Sequence, residues 1–391
     1  MSSSIRTEIC VVGAGYAGLS TALHAAKRGY DVAIIEATRP GAGASGRNGG
    51  QVLPGFAADP AAMIAEFGET RARELWQISL RGLDKVRDLG GNACDIRDHV
   101  AIVAAAKADL PRLARQAALR RDVFGDDAAE ILDAAAFKRA LPGLAGHGAL
   151  IDKRAFSIDP VKYVGALVAQ AKAAGASLHE RRPATGIARA NGKWHVATPK
   201  GDVIADRVVL AANVDLPGLE AGTDRLLAPV RTFMLETAPL AKFPAWATGA
   251  AYDTSPALRY MRRTADGRLQ FGAGGWPGRG NPPLAETWLR RALAKALPDL
   301  ARAKIARAWS GLVDVTTDGM PRFADREGLI HLVGFCGHGV ALTTLAGEIV
   351  ANAIEGEDAD FRRFAALPQT PTWPTSFGQA AQLILGRAAP V

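Results

Sequence analysis

The stretch Ile9-Cys-Val-Val-Gly-Ala-Gly-Tyr-Ala-Gly18, which leads on to Ile34-Ile35-Glu36, decides the fold of this 391-residue chain. Residues 9–12 are all apolar or small and predict a buried parallel strand. The glycines that follow predict a sharp turn into a helix, and residues 32–35 predict a second strand. Strand, glycine turn, helix, strand and terminal acid, in this order, predict a β-α-β unit that binds a dinucleotide.

Each residue of this motif has its own physical reason. Gly13 permits the tight turn, Gly15 lets the backbone approach a pyrophosphate, and Gly18 lets the helix pack closely on the strand. The helix N-terminus offers unpaired N–H groups and a positive dipole end to the phosphates. Glu36 follows the glycines by about 20 residues, where a carboxylate accepts hydrogen bonds from ribose hydroxyls. A glycine-rich turn with no ligand stays open as the alternative on these residues alone.

Length and charge narrow the class of protein. A chain of 391 residues predicts two domains, and no apolar run reaches the ~20 residues that a membrane span needs. The net charge of +8 comes from arginines spread along the chain. Their densest group lies on the face of a predicted helix at 110–121 that we expect to be solvated: Arg112, Arg115, Arg120 and Arg121. We therefore expect no nucleic-acid partner, whereas an anionic substrate fits the charge.

The three cysteines bear on compartment and metal binding. Cys10, Cys94 and Cys336 have spacings that match neither a zinc site nor a disulfide scaffold. We therefore expect no metal and a reducing compartment. The first strand begins too early to leave room for a signal peptide, so the prediction is a cytoplasmic protein.

The rest of the chain predicts a ligand loop, further elements and a second glycine turn. Residues 41–56 are polar, rich in glycine and too long for a simple turn, which is typical of a ligand-binding loop. Periodicity predicts helices within 60–89 and at 110–121, 160–174 and 284–297, buried strands at 208–212 and 329–335, and antiparallel strands at 230–236, 258–262 and 268–272. The strand at 329–335 runs into Cys336-Gly-His-Gly339 and a helix at 340–354. We expect this second helix N-terminus to approach another part of the same extended ligand.

Taken together, the motifs resemble those of the D-amino-acid-oxidase-like flavoproteins. The resemblance rests on GAGYAG at 13–18, Glu36, GASGRNGGQ at 43–51, the buried strand that ends at Ala212, and GFCGHG at 334–339. It implies an α/β fold, α+β overall, with a Rossmann-like FAD-binding domain of the glutathione-reductase type and an antiparallel-sheet substrate domain. It assigns 1–85, 147–226 and 308–370 to the FAD-binding domain, 86–146 and 227–307 to the substrate domain, and 371–391 to a C-terminal tail.

The resemblance also implies FAD and a set of residues that hold it. The turn at 337–340 would lie by flavin N1 and O2, where a helix N-terminus stabilises negative charge. Ala184 would contact the adenine through its backbone. The implied cofactor-binding residues are Gly13, Ala14, Gly15, Ala17, Gly18, Glu36, Ala37, Ala44, Ser45, Gly46, Asn48, Gly49, Gly50, Gln51, Ala184, Ala212, Gly311, Gly337, His338, Gly339 and Val340.

Two departures from sarcosine-oxidase-like relatives bear on the cofactor and substrate. Ala341 stands where those relatives carry lysine, and residues 311–314 lack the cysteine through which they attach the flavin. We therefore expect non-covalent FAD, and the resemblance favours a gamma-glutamylputrescine-like substrate over sarcosine. The apolar segment 377–385 is expected to dock on the protein body rather than on a membrane.

Several residues near the expected site have two interpretations. His338 is a catalytic base or, preferentially, a residue that only packs against the cofactor, and Cys336 is redox-active or a small spacer. Asp318 caps its turn or contacts the ligand. Tyr260 and Arg262 share one face of a predicted strand that the resemblance puts over the flavin ring. They are the substrate candidates, because a substrate carboxylate needs a bidentate arginine.

The reaction that the resemblance implies is oxidation of an amine or amino acid. Hydride would pass from the carbon beside the nitrogen to flavin N5, water would hydrolyse the imine, and oxygen or a quinone would accept the electrons. No catalytic acid and base pair is predicted, since close positioning supplies most of what the step needs. Three alternatives are a flavin-binding protein without turnover, a D-amino-acid dehydrogenase that reduces a quinone, and an NAD-dependent dehydrogenase. The loop at 45–51 argues against the last.

Overall fold

The computed structural model describes residues 4–219, 227–282 and 285–368. These residues form two sheets with helices packed against them, in agreement with the predicted architecture. No helix in the described ranges is long and apolar enough to cross a membrane. The predicted tail at 371–391, with its apolar segment at 377–385, lies outside the described residues.

The first sheet carries the β-α-β unit. Its strands, in chain-order numbering, are β1 (Ile5–Val12), β2 (Val32–Ile35), β7 (Ser177–His179), β8 (Gly186–Ala190), β9 (Lys193–Ala197), β10 (Val203–Leu210), β16 (Arg322–Arg326) and β17 (Leu329–Val333). They run in the order β16-β17-β10-β1-β2-β7, and β8 and β9 extend from β10. Strands β17, β10, β1, β2 and β7 are mutually parallel. Their buried residues, such as Ile9 and Val209, explain the near-continuous apolar runs in the sequence.

The helices of the described chain are α1 (Tyr16–Lys27), α2 (Pro60–Phe67), α3 (Glu69–Gly90), α4 (Leu110–Asp122), α5 (Ala134–Ala140), α6 (Pro160–Ala173), α7 (Ala285–Ala296), α8 (Gly339–Ile354) and α9 (Ala359–Ala365). Helices α1 and α8 cross at close range. A Cβ at Gly347 would lie 2.4 Å from the backbone nitrogen of Thr21, and the Ser20 hydroxyl donates to the Thr344 carbonyl over 2.5 Å. Their mutual position is therefore fixed by backbone contact.

The second sheet is mainly antiparallel. Its strands are β3 (Gln51–Val52), β4 (Arg97–Val103), β5 (Ala129–Leu132), β6 (Ala149–Ser157), β11 (Ala228–Thr237), β12 (Ala250–Asp253), β13 (Tyr260–Arg263), β14 (Leu269–Pro277) and β15 (Ile305–Val315). They run in the order β15-β11-β14-β13-β12-β4-β6-β3, with β5 beside β6. One face packs with α7 in a cluster that includes Phe233, Met261, Phe271 and Leu293. The other face carries the residues of the candidate site.

All three stretches that are expected in the FAD-binding domain contribute to this second sheet. Strands β3 and β6 and most of β15 hydrogen-bond there, although the resemblance assigns 1–85, 147–226 and 308–370 to the first domain. The two sheets thus share chain segments, and the division into domains stays a prediction.

The expectation that the arginines of α4 are all solvated is wrong for one of them. Arg120 is 1% exposed and pairs with Asp126 and Asp152, which are also buried. Trp76 donates its Nε1–H to Asp126 at 3.2 Å, and the Arg120 guanidinium lies over the Trp76 ring. Helical spacing could not distinguish this arginine from its exposed neighbours, because its partners come from other elements.

Candidate cofactor and substrate site

The two glycine turns meet at one edge of the first sheet. Helix α1 follows β1, helix α8 follows β17, and the two strands are parallel with only β10 between them. At ordinary strand spacing their carboxyl ends are about 10 Å apart. Ligands of open α/β sheets bind at this carboxyl edge. Two helix N-termini therefore face one region, as a single extended ligand requires.

Backbone contacts explain the glycines of the first turn. Gly13 has a φ of +104°, and a Cβ there would lie 2.7 Å from the Ala211 carbonyl oxygen. A Cβ at Gly18 would lie 1.9 Å from the Gly13 carbonyl oxygen. Gly15 caps α1 without a side-chain hydrogen bond, and a Cβ there would reach within 3.0 Å of the Ser45 hydroxyl. The turn therefore packs tightly, and its end offers N–H groups rather than side chains.

Glu36 is held at the tip of β2 by backbone donors. One carboxylate oxygen accepts the Ala14 N–H at 2.9 Å, and the other accepts the Thr38 N–H at 2.8 Å. The second of these oxygens also accepts the Thr38 hydroxyl at 3.1 Å, so the oxygen bound to Ala14 is the one that keeps a lone pair for a ribose hydroxyl. Of the other predicted residues here, Ala37 is exposed, while Ala14 and Ala17 are buried in the core.

The polar side chains of the loop after β2 make hydrogen bonds within the loop and to neighbouring elements. The Ser45 hydroxyl accepts the Tyr16 N–H at 3.0 Å. The Asn48 amide donates to the carbonyls of Ala44 and Ser45, and its oxygen accepts the Gly50 N–H at 2.8 Å. Gln51 donates to a carbonyl of β12, at Ala251, over 3.0 Å. The contacts that this loop offers a ligand therefore come largely from its backbone, including that of Gly46 and Gly49.

The same loop lies against the open face of the second sheet. A Cβ at Gly49 would be 2.9 Å from the Tyr260 ring, and one at Gly50 would be 3.0 Å from Arg262 Nε. Both side chains come from β13 and point to this face, as the alternation predicted. Tyr260 is half-buried, shares a hydrogen bond with Thr232, and burial raises its pKa to about 12. Arg262 is 2% exposed, and burial lowers its pKa from the usual range.

The second turn depends on left-handed backbone and on one carboxylate. Gly334, Cys336 and Gly337 have φ values of +78°, +52° and +77°. The carboxylate of Asp314, at the end of β15, accepts the Gly334 N–H at 2.5 Å, and the Asp314 backbone carbonyl accepts the Cys336 N–H at 3.1 Å. Burial raises the pKa of this carboxyl. His338 then caps α8 without a side-chain bond to the helix, so the first N–H groups of α8 lack such a cap.

The remaining predicted residues surround this edge. Ala184 and Ala212 are half-buried beside the apolar cluster of β1 and β10, and Gly311 on β15 pairs with Thr232 on β11. Asp318 caps its turn: one oxygen accepts the Met320 N–H at 3.0 Å, and the other pairs with Arg322. Val340 is buried. The Cys336 thiol donates to the Gly334 carbonyl at 3.1 Å and accepts the Thr316 N–H.

Sequence reasoning missed several contacts of the site. The buried Tyr16 hydroxyl donates to Pro160 and accepts from Asn48. Arg47 ties the loop to β15, since it donates to the Ser310 carbonyl at 3.0 Å and accepts from Trp309 Nε1. Tyr16 occupies a position where the motif allows any residue, and Arg47 gave no signal beyond the loop itself. Their partners lie far away along the chain.

The comparisons with known proteins identify the family. A profile described as FAD dependent oxidoreductase (DAO) matches residues 8–353. The chain belongs to the DAO family of FAD-dependent oxidoreductases. It is 32% identical over 372 residues to the probable oxidoreductase OrdL of Haemophilus influenzae, covering 92% of this chain and 85% of that protein. It is also 32% identical over 380 residues to the gamma-glutamylputrescine oxidoreductase of Escherichia coli, covering 95% and 89%.

A solved structure supports the fold. Glycine oxidase from Geobacillus kaustophilus superposes with a TM-score of 0.78 at 23% identity, covering 95% of this chain and 100% of that one. The predicted resemblance, the fold class, FAD as cofactor and an enzymatic role are thereby confirmed.

The residues present fit FAD. A Cβ at Gly337 would meet no atom within 4 Å, so the second turn is open where the first is closed by backbone. Neither α1 nor α8 is capped by the side chain of its own N-cap residue, and the N–H groups at their starts lie at the same edge. Among residues 4–219, 227–282 and 285–368, no group of three or more His, Cys, Asp or Glu residues could hold a metal ion.

Proposed function

We propose that this DAO-family enzyme oxidises the carbon–nitrogen bond of an amine that resembles gamma-glutamylputrescine, with FAD held non-covalently. The proposal is carried by one observation: two helix N-termini converge at one sheet edge, and the polar face of the second sheet lies against the loop beside them. The similarity to the Escherichia coli relative supports the choice of substrate.

The chain's own residues bind and orient the partners in this proposal. The start of α1 and the Glu36 carboxylate would hold the diphosphate and ribose, and the turn at 337–340 would hold the ring. When bound, FAD supplies the hydride acceptor. Tyr260 and Arg262 lie on the sheet face that contacts the loop at 45–51, and they would position the substrate and exclude water from it. The described residues then need only keep the amine about 3 to 3.5 Å from the acceptor.

His338 is assigned to the cofactor rather than to proton transfer. Its backbone N–H donates to the Phe335 carbonyl at 2.9 Å, and it forms the first residue of the turn into α8. This position makes it part of the helix start that would face the ring. The test below also determines whether oxygen or a quinone accepts the electrons.

The test is an anaerobic bleaching screen on the purified, yellow protein. Gamma-glutamylputrescine, putrescine, D-amino acids and N-methylated glycines are added separately while the flavin band near 450 nm is followed. We expect bleaching by gamma-glutamylputrescine and slower or no bleaching by the amino acids. Readmission of oxygen, or addition of a soluble quinone, then shows which acceptor restores the colour. Bleaching by D-amino acids alone would favour the dehydrogenase alternative, and bleaching by none would leave a flavin-binding protein without turnover.

A further inference from the structure

Four polar side chains form a row across the open face of the second sheet. Arg307 on β15 pairs in register with Glu236 on β11, Glu236 with Gln270 on β14, and Gln270 with Arg262 on β13. Residues directly opposite each other on neighbouring strands share a face. This polar row therefore lies on the same face as Tyr260, two residues from Arg262 on β13.

The outer half of the polar row is fully hydrogen-bonded. Glu236 is 6% exposed, and its two carboxylate oxygens accept from Arg307 Nε at 3.0 Å and Nη2 at 2.9 Å. Gln270 Nε2 donates to Glu236 Oε2 at 2.7 Å. These bonds fix the Gln270 amide, so that its oxygen is directed away from Glu236.

The inner half of the polar row, on β14 and β13, contains three atoms without hydrogen-bond partners among the described residues. Arg262 Nε and Nη2 and Gln270 Oε1 are buried and make no hydrogen bond. The Asp159 carboxylate lies 3.8 Å from Nη2, beyond hydrogen-bond length, and its other oxygen caps α6 through Val161 and Lys162. All three atoms thus belong to neighbours on the adjacent strands β13 and β14.

Two buried guanidinium nitrogens without a hydrogen-bond acceptor and an amide oxygen without a donor on the neighbouring strand are costly in free energy. The two sets of atoms are complementary to one ligand that is both an anion and a hydrogen-bond donor. Gly50 lies against Arg262 Nε, so the pair borders the loop of the cofactor site. A group that carries a carboxylate and an ammonium on one carbon satisfies all three atoms.

We infer that Arg262 and Gln270 form a subsite for the α-amino-acid group of the substrate. The carboxylate accepts two hydrogen bonds from Arg262 Nε and Nη2, and the ammonium donates to Gln270 Oε1. This inference rests on the proposed function. It restricts the substrate class to amines that carry an amino-acid group apart from the nitrogen that is oxidised, and it makes putrescine itself a poor substrate.

The experiment compares four amines on the FAD-loaded enzyme. Gamma-glutamylputrescine has both charges, glutarylputrescine lacks the ammonium, gamma-aminobutyrylputrescine lacks the carboxylate, and putrescine lacks the whole group. We expect Arg262→Met to lower kcat/KM for the first two by about 10- to 150-fold and to change it less than about 3-fold for the last two. Gln270→Leu lowers it several-fold only for the amines with the ammonium. Arg263→Met, on the exposed opposite face of β13, is the matched control.

Binding is measured separately from turnover. Gamma-glutamyl-n-butylamide has the amino-acid group but no amine to oxidise, and its titration is followed by the change in the flavin absorption band. We expect saturable binding that Arg262→Met weakens about 10- to 150-fold and Arg262→Lys weakens less. Flavin content and thermal unfolding show whether each variant has folded.

Two results would overturn the inference. One is an equal loss by Arg262→Met with putrescine and with gamma-glutamylputrescine, and the other is equal binding of the butylamide by wild type and Arg262→Met. Equal use of all four amines by the wild type would mean that ordered water satisfies the polar row. If no amine bleaches the flavin while the butylamide binds through Arg262, the proposed function fails and the subsite remains.

Discussion

The two glycine turns place two helix N-termini at the same edge of the first sheet, but different interactions stabilise the two turns. The first turn is closed by backbone, since a Cβ at Gly18 would lie 1.9 Å from the Gly13 carbonyl oxygen and one at Gly13 would lie 2.7 Å from the Ala211 carbonyl oxygen. The second turn has space around it: a Cβ at Gly337 meets nothing within 4 Å, and one at Gly339 meets its nearest atom at 3.6 Å. It is held instead by left-handed backbone and by the distant carboxylate of Asp314.

This difference separates local from long-range specification. The closest contact of the first turn, between Gly18 and Gly13, is encoded within a few residues, because only glycine fits there. The second turn needs Asp314, which lies 20 residues before Gly334 on a strand of the other sheet. A substitution that closes space should therefore damage the first turn most, and one that removes a hydrogen-bond acceptor should damage the second.

Gly18→Ala gives the largest expected effect. The new methyl group would overlap the Gly13 carbonyl, so the strand and α1 must separate. We expect loss of more than about 3 kcal/mol of stability and little bound flavin. Gly339→Ala is the matched control, because its methyl group makes ordinary contacts; it should unfold within about 1 kcal/mol of wild type. Flavin-to-protein absorbance ratios and denaturant unfolding measure both, and equal behaviour of the two variants would contradict the contrast between the turns.

Asp314→Asn should give the next largest effect, on the second turn alone. The Gly334 N–H then bonds at best to a neutral amide oxygen instead of a carboxylate, and the second carboxylate oxygen becomes an NH₂ donor, so about 1–3 kcal/mol of turn stability is lost. We expect about 5- to 150-fold weaker FAD binding by equilibrium dialysis and a shifted flavin reduction potential. Asp325→Asn is the control, since that carboxylate also accepts a backbone N–H, from Gly328 at 2.7 Å, in an exposed turn. Unchanged FAD affinity and potential in Asp314→Asn would show that the turn does not need the carboxylate.

The pH dependence of stability sharpens the role of Asp314. Burial raises its pKa in the folded state, so the folded protein binds the proton more tightly than the unfolded chain does. The stability that follows is fully present below the unfolded pKa, about 3.9, and is lost as pH rises through the raised folded pKa. The free energy of unfolding of wild type minus that of Asp314→Asn should therefore fall as pH rises over this window. A difference that grows with pH would show that the hydrogen bonds outweigh burial.

Much of the geometry at this site could be predicted from the sequence, and the contacts that could not be predicted share one cause. The order of strand, glycines, helix and Glu36 is local, and it located both turns and the FAD family. Arg262 and Tyr260 followed from alternation on one strand. The cross-strand neighbours of Arg262, by contrast, depend on the register of four strands that alternation alone does not fix. The same limit applies to Arg120, whose second acceptor, Asp152 on β6, becomes its neighbour only when the sheet and α4 pack.

Tyr260→Phe should have the smallest effect. It tests how the Tyr260 side chain supports the loop after β2. Gly49 and Gly272 both lie against the Tyr260 ring, which phenylalanine keeps, whereas the hydrogen bond with Thr232 is lost. We expect about 1 kcal/mol or less of destabilisation and unchanged flavin content. Because burial raises the pKa of Tyr260 to about 12, its hydroxyl stays protonated through the usual assay range. The pH profile of kcat/KM up to about pH 10 should therefore be the same in both proteins. An alkaline limb that vanishes in Tyr260→Phe would show instead that this hydroxyl ionises in the site, and that the loop rests on a titrating group rather than on an aromatic surface.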